Sequence, residues 1–187
     1  VAVLITCEAF AASFTTSPSP AYQDAINRLW SLDFIDSIEE GDIKPDELLT
    51  REQFAKLVVL CLNLGDSTKQ YKGISIFSDV APSRWSNGYI NTAVKAGYMS
   101  GLLDGRFHPE EGITYAHAYT ALVKALGYTD SDLPGIWPDN YLAKAEETGI
   151  TDGLNFSGSN NIPRWAGFIL FDNLLKVPVK SNESISL

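Results

Sequence analysis

The sequence predicts an all-α chain built from three copies of one helix–loop–helix unit. Three observations carry that expectation. Apolar residues recur at helical spacing: Tyr22, Ile26, Leu29, Trp30 and Phe34 fall near one stripe, and Phe54, Leu57, Val58 and Cys61 or Leu62 near another. Adding 64 to a residue number carries the first unit onto the second without a gap. Gly41 falls on Gly105, Pro45 on Pro109, Glu47 on Glu111, Thr50 on Thr114, Val59 on Val123 and Leu62 on Leu126. Finally, a loop rich in Gly, Asp and Pro precedes the second helix of the first two units. Repeats of this size bury their apolar faces against one another.

Composition sets the outer limits. The chain has 187 residues and 45% hydrophobic content, enough for a buried core. Its formal charge is −9, and no stretch concentrates Lys and Arg. That argues against nucleic acid, where phosphate neutralisation sets affinity. Cys7 and Cys61 have no metal-ligand spacing, and Cys61 lies in the apolar run LVVLCLNL. His108 and His117 stand without a nearby Cys, so structural zinc is not expected. No apolar run is long enough to span a bilayer.

Taken in order, residues 1–19 form a leader and linker. Residues 1–12 fit the end of a secretory signal, with Ala9-Phe10-Ala11 as an A-x-A pattern, although Glu8 sits poorly there. A short apolar helix or strand packed on the domain fits as well. Leu4-Ile5-Thr6-Cys7 is faintly similar to a lipoprotein lipobox, but Thr precedes the Cys where a smaller residue is usual. A Ser/Thr/Pro linker follows, and its prolines, Pro18 and Pro20, disfavour helix.

The first unit covers 20–66. A helix over 21–35 is expected, with Ser19 or a neighbour as cap and Pro20 in the first turn. Residues 36–49 read as an acidic loop. Thr50 then caps a helix over 51–64, Gln53 completes a capping box, and Gly65 ends it.

The second unit covers 67–135 and is the most complete. Ser83 is expected to cap a helix through Ala96, with Trp85, Tyr89, Ile90, Ala93 and Val94 on its apolar side. Gly101, Asp104 and Gly105 supply turn positions. Thr114 caps a helix over 115–126, which Gly127 ends.

The third unit covers 136–177. Helices are expected over 140–148 and 164–176, and its loop is three residues shorter than in the second unit. Residues 178–187 read as an exit linker.

No G-x-S-x-G, H-E-x-x-H, P-loop or G-x-G-x-x-G motif occurs, so no enzyme class is indicated and no cofactor is expected. The acidic run Glu39, Glu40, Asp42, Asp46 and Glu47 lacks the alternating form of a calcium loop.

Phe77-Ser78-Asp79-Val80, Trp85, Gly101, Asp104-Gly105-Arg106-Phe107-His108-Pro109 and Ile113-Thr114 together resemble the S-layer homology repeat. The similarity is strongest in the second unit and weakest, though in phase, in the third. It implies a pseudo-threefold spindle around a central three-helix bundle, with grooves between repeats. It further implies a secreted, non-catalytic module at the bacterial cell surface. Such a module binds cell-wall polysaccharide, often pyruvylated. The family's T-R-A-E helix start survives unevenly: Thr50-Arg51-Glu52-Gln53, Thr114-Tyr115-Ala116-His117 and Pro163-Arg164-Trp165-Ala166.

A pyruvyl carboxylate pairs with a guanidinium, and a sugar face stacks on Trp. Candidate ligand residues are therefore Arg51, Arg164, Trp85, Trp165, Asp79, Gly101, Asp104 and Gly153, with the junction at Tyr115 expected to be degenerate. Arg84 is a possible extra cation, expected to be solvated. The competing expectation is that the repeats keep the fold, lose sugar binding and join surface-layer proteins to one another.

Overall fold

A computed structural model describes residues 19–36, 43–156 and 158–180. The expectations for the leader, for Cys7, for most of the exit linker and for Glu39, Glu40, Gly41 and Asp42 lie outside these residues. The described residues form seven α-helices and no named strand. They are α1 (Pro20–Ser31), α2 (Arg51–Cys61), α3 (Thr68–Tyr71), α4 (Asn87–Lys95), α5 (Tyr115–Ala125), α6 (Asp139–Thr148) and α7 (Arg164–Leu174). The all-α expectation holds.

Local chemistry sets most helix starts. Ser19 accepts a hydrogen bond from the Tyr22 amide, and Pro20 occupies the first turn of α1. Thr50 and Gln53 make the expected reciprocal box: the Gln53 amide donates to Thr50 Oγ1 at 3.3 Å, and the Thr50 amide donates to Gln53 Oε1 at 3.0 Å. Thr114 caps α5 in the same way through the His117 amide.

Four boundaries differ from expectation by more than one residue. α1 stops at Ser31 because Asp33 turns left-handed (φ 57°), so Phe34 folds back beside the core off the helix. α2 ends at Cys61, where Asn63 rather than Gly65 takes the left-handed position (φ 56°). α4 starts at Asn87, not near Ser83. Its approach is held by buried polar side chains instead of a cap. Ser86 donates to Glu52, Asn87 accepts from the Gly73 amide at 2.8 Å, and its own amide donates to Ile74 O at 3.0 Å. α7 stops at Leu174 rather than Lys176. The short α3 was not foreseen, since four residues carry no helical period.

The core lies where α2, α5 and α7 meet. Phe54 of α2 packs on Phe171 of α7, with ring centroids 5.1 Å apart, and Ala118 and Leu122 of α5 join the same apolar cluster. Fully burying a side chain such as Phe54 contributes about 1.5–3 kcal/mol. Trp30, expected on the buried stripe of α1, is instead half exposed, while Tyr22, Ala25, Ile26 and Leu29 are buried.

The packing partners of the outer helices are offset from the sequence units. α1 packs on α7, α4 on α2, and α6 on α5. Each first helix thus lies on the second helix of the preceding unit, and the first unit closes onto the third.

A ring of backbone hydrogen bonds closes the same circle. The Leu49 amide donates to Ile162 O (2.8 Å), Ile162 to Ile113 O (2.9 Å), and Ile113 to Leu49 O (3.0 Å). Helix N-termini join in. The Arg51 amide donates to Glu111 O, the Tyr115 amide to Asn160 O, and the Arg164 amide to Glu47 O, at 2.8–2.9 Å. Amides that helix geometry leaves unpaired in the first turn are in this way satisfied by the loop of the next unit.

Candidate functional site

Two clefts open at junctions of this ring, and they are related by the same 64-residue offset that relates the first two units. The first, about 580 Å³, is lined by Asp36, Gln53 and Lys56 of the first unit, Trp85 of the second and Arg164 of the third. The second, about 980 Å³, is lined at matching positions by Ser100, His117 and Thr120, with Trp137 of the third unit where Trp85 stood. Each wall Trp lies just before the first helix of the following unit. Both are about half exposed, Trp85 at 52% and Trp137 at 50%. Trp85 was expected on the apolar face of a helix. Starting α4 at Asn87 leaves it on the preceding turn, facing solvent.

Arg164 occupies the first position of α7. Its Nη1 donates to Ile43 O at 2.9 Å, and its Nη2 lies 3.2 Å from Glu47 Oε2. Its buried Nε has no hydrogen-bond partner among the described residues. The floor beside it is apolar: Leu49, Leu57 and Phe168. Lys56, across the cleft, pairs with Asp36 at 2.8 Å.

Arg51 occupies the matching position beneath the second cleft, but it is only 3% exposed. Nε donates to Phe107 O at 2.7 Å and Nη2 to Ser100 O at 2.8 Å. The guanidinium lies over the Phe107 ring, 4.7 Å from its centroid. Burial lowers its pKa, and the charges of Glu111 and Asp79 oppose that shift. Arg51 therefore braces the cleft from below rather than lining it.

The third junction has no such cation. Tyr115 stands where Arg51 and Arg164 stand, and its ring stacks on Phe156 at 4.6 Å and 11°. An aromatic stack replaces the guanidinium-over-ring pair. Tyr115 is fully buried, and its hydroxyl has no partner among the described residues.

The remaining candidates divide. Gly101 and Asp104 line the second cleft. A Cβ at Gly101 would meet Phe77 Cε1 at 2.7 Å and Arg106 O at 3.0 Å, so glycine there permits close backbone packing. Asp79 lines neither cleft. Its carboxylate accepts the amides of Phe107 (3.0 Å) and His108 (2.7 Å), and its side chain is 7% exposed. Burial raises its pKa, but those amides outweigh the effect and hold the carboxyl below its ordinary range. Trp165 also lines neither cleft and packs on Phe156 with centroids 5.7 Å apart. Gly153 takes a left-handed turn (φ 79°) outside both clefts.

Arg84 is not solvated. It makes a two-pronged pair with Glu52 (2.7 and 2.9 Å) and reaches Glu110 at 2.8 Å. These carboxylates raise its pKa. Nothing in the sequence singled out Glu52 as the partner, because the pairing joins two units.

Sequence reasoning also passed over Trp137 and His117 as site residues. Trp137 Nε1 donates to Thr120 Oγ1 at 2.9 Å, and the His117 ring lies 5.5 Å from the indole. Aligning Trp137-Pro138-Asp139-Asn140-Tyr141 with Trp85-Ser86-Asn87-Gly88-Tyr89 would have found the first.

Comparison with known proteins gives these clefts a context. Residues 15–55 and 76–118 match the S-layer homology domain. The chain is 32% identical over 95% of its length to a surface layer protein of Brevibacillus choshinensis, of which it covers 16%. It is 33% identical over 84% of its length to a cell surface protein of Thermoanaerobacter kivui, of which it covers 20%. It is 29% identical over 70% of its length to an amylopullulanase of Thermoanaerobacterium thermosulfurigenes, of which it covers 8%. The chain thus spans a fifth or less of these relatives. These likenesses locate it at the cell surface or cell wall.

Proposed function

Starting from S-layer homology sequence at the cell surface, we propose that the chain is a non-catalytic module anchoring its parent protein to wall polysaccharide. Its ligand is an anionic, pyruvylated sugar held in the first cleft. Residues 136–177 act as a third repeat of the same kind. The carrying observation is that an exposed Trp85 and the Arg164 guanidinium line the same cleft. The indole offers a flat face to a sugar ring. The guanidinium and Lys56 offer charge-assisted bonds to a carboxylate. Arg51 and Asp79 serve the module by holding loops, and the Tyr115 junction takes no ligand.

The test is sedimentation of the protein with purified wall material, with and without its pyruvyl groups. Trp85→Ala removes an exposed anchor and is expected to cost about 2 kcal/mol, roughly thirtyfold in affinity. Arg164→Lys keeps the charge but loses the planar fork, and weakens binding in the same direction. Unchanged binding in the double variant, or equal binding to depyruvylated wall, refutes the assignment.

A further inference from the structure

The two clefts share a frame but differ in the sign of their lining charge. In the first, Lys56 and Arg164 outnumber Asp36. In the second, Asp104, Glu111 and Asp130 outnumber Lys124 and His108. The cation that would redress this, Arg51, is sealed beneath the floor, where it donates to Phe107 O and Ser100 O. Lys56 in the first cleft is replaced by the neutral Thr120 in the second.

The carboxylates of the second cleft keep capacity for further donors. Asp104 and Glu111 are 49% and 63% exposed at the side chain, and each holds one nitrogen of His108, at 2.7 and 2.8 Å. Asp130 accepts from the Tyr141 hydroxyl. A carboxylate has about four lone-pair sites, so one or two bonds leave it able to accept more. Trp137 lines the same cleft, half exposed, with its indole N–H fixed on Thr120 so that the ring is held in one orientation.

We infer that the second cleft takes a sugar bearing a free amine, stacked on Trp137 with its ammonium directed to Asp104 and Asp130. This rests on reading the clefts as saccharide sites. It adds that the two clefts select residues of opposite charge, so that a polymer carrying both is held at two points. An ammonium supplies three donors and no acceptor, which suits a wall of carboxylates. A pyruvyl carboxylate in the same place would meet like charge.

The probes are the tetramer of β-1,4-linked glucosamine and its fully N-acetylated counterpart, which differ only in the amine. The readout is the set of four tryptophan indole N–H signals in a two-dimensional NMR spectrum of the chain, with Trp137 and Trp85 assigned from Trp137→Phe and Trp85→Phe. The Trp137 signal is expected to shift with the amine tetramer and at least tenfold more weakly with the acetylated one. Asp104→Asn with Asp130→Asn is expected to abolish that preference while wall-polymer binding through Trp85 persists. The Trp30 and Trp165 signals report that the fold is intact. Equal shifts with both tetramers, shifts confined to Trp85, or no shift with either overturns the inference. Loss of wall-polymer binding at Trp85 would instead bear on the anchoring function alone.

Discussion

The Tyr115 hydroxyl provides the sharpest test of whether the third junction is closed. It is buried without a partner among the described residues, and burial drives its pKa upward. Tyr115→Phe removes the oxygen and keeps the ring. The stack on Phe156 at 4.6 Å and the edge contact with Tyr119 at 5.5 Å both survive. A buried, unsatisfied polar group costs about 1–3 kcal/mol. Against this stands the lost packing of one atom, a few tenths of a kcal/mol. The net expectation is stabilisation by about 1 kcal/mol. With a urea slope of about 2 kcal/mol/M, the unfolding midpoint rises by about 0.5 M. The assay is urea unfolding followed by far-UV circular dichroism, with the slope checked for constancy. A midpoint lowered by about 0.5 M or more would mean that the hydroxyl is hydrogen-bonded, and the junction would then be a wet site rather than a closed one.

Other substitutions probe the remaining parts. Arg84→Ala strands Glu52, whose side chain is 8% exposed, and is expected to destabilise by about 2 kcal/mol in the same unfolding assay, while Arg84→Met with Glu52→Gln recovers most of the loss. Gly101→Ala forces a Cβ against Phe77 and Arg106 O, and calorimetry should show a loss of about 1–3 kcal/mol. His108 has its pKa raised above 6.5, chiefly by the Asp104 hydrogen bond. A raised folded pKa gives stability that is fully present below the unfolded pKa and fades as pH rises through the folded one. The stability gap between the parent and His108→Asn should therefore be widest near pH 5 and shrink above neutrality. Asn suits that position because it tolerates the left-handed backbone (φ 56°).

What could be read from the sequence follows the range of the interaction. The capping box at Thr50 and Gln53 depends on four consecutive residues, and it was legible. So was the repeat, because an offset of matched residues needs no contact map. The fate of Arg51 and Arg164 was not. Both share a helix position, yet one is sealed under the Phe107 ring and the other opens onto a cleft. That difference is set by the loop of the next unit. Asp79 looked like a ligand residue for a similar reason, since the amides of Phe107 and His108 that claim it arrive from another part of the chain. Arg84 looked solvated until Glu52 was brought beside it. Trp85 was assigned to a helix face because nothing local marked the turn that precedes Asn87.

The offset packing explains why a cleft is not a property of one repeat. The first cleft takes Leu49, Leu57 and Lys56 from the first unit, its indole from the second, and Phe168 and its guanidinium from the third. The second takes its loop from the second unit and its indole from the third, and it rests on Arg51 from the first. Each first helix lies on the preceding unit's second helix, so removing any unit strips an apolar face from both neighbours and opens the ring at Leu49, Ile113 or Ile162. A drifting residue at one junction therefore changes one cleft while the ring of backbone bonds, blind to side chains, holds the others in place. Tyr115 and Phe156 form a junction with an aromatic stack at the position where the other two junctions hold an arginine. Clefts on a shared frame can therefore differ in their lining chemistry while the ring of backbone bonds stays closed.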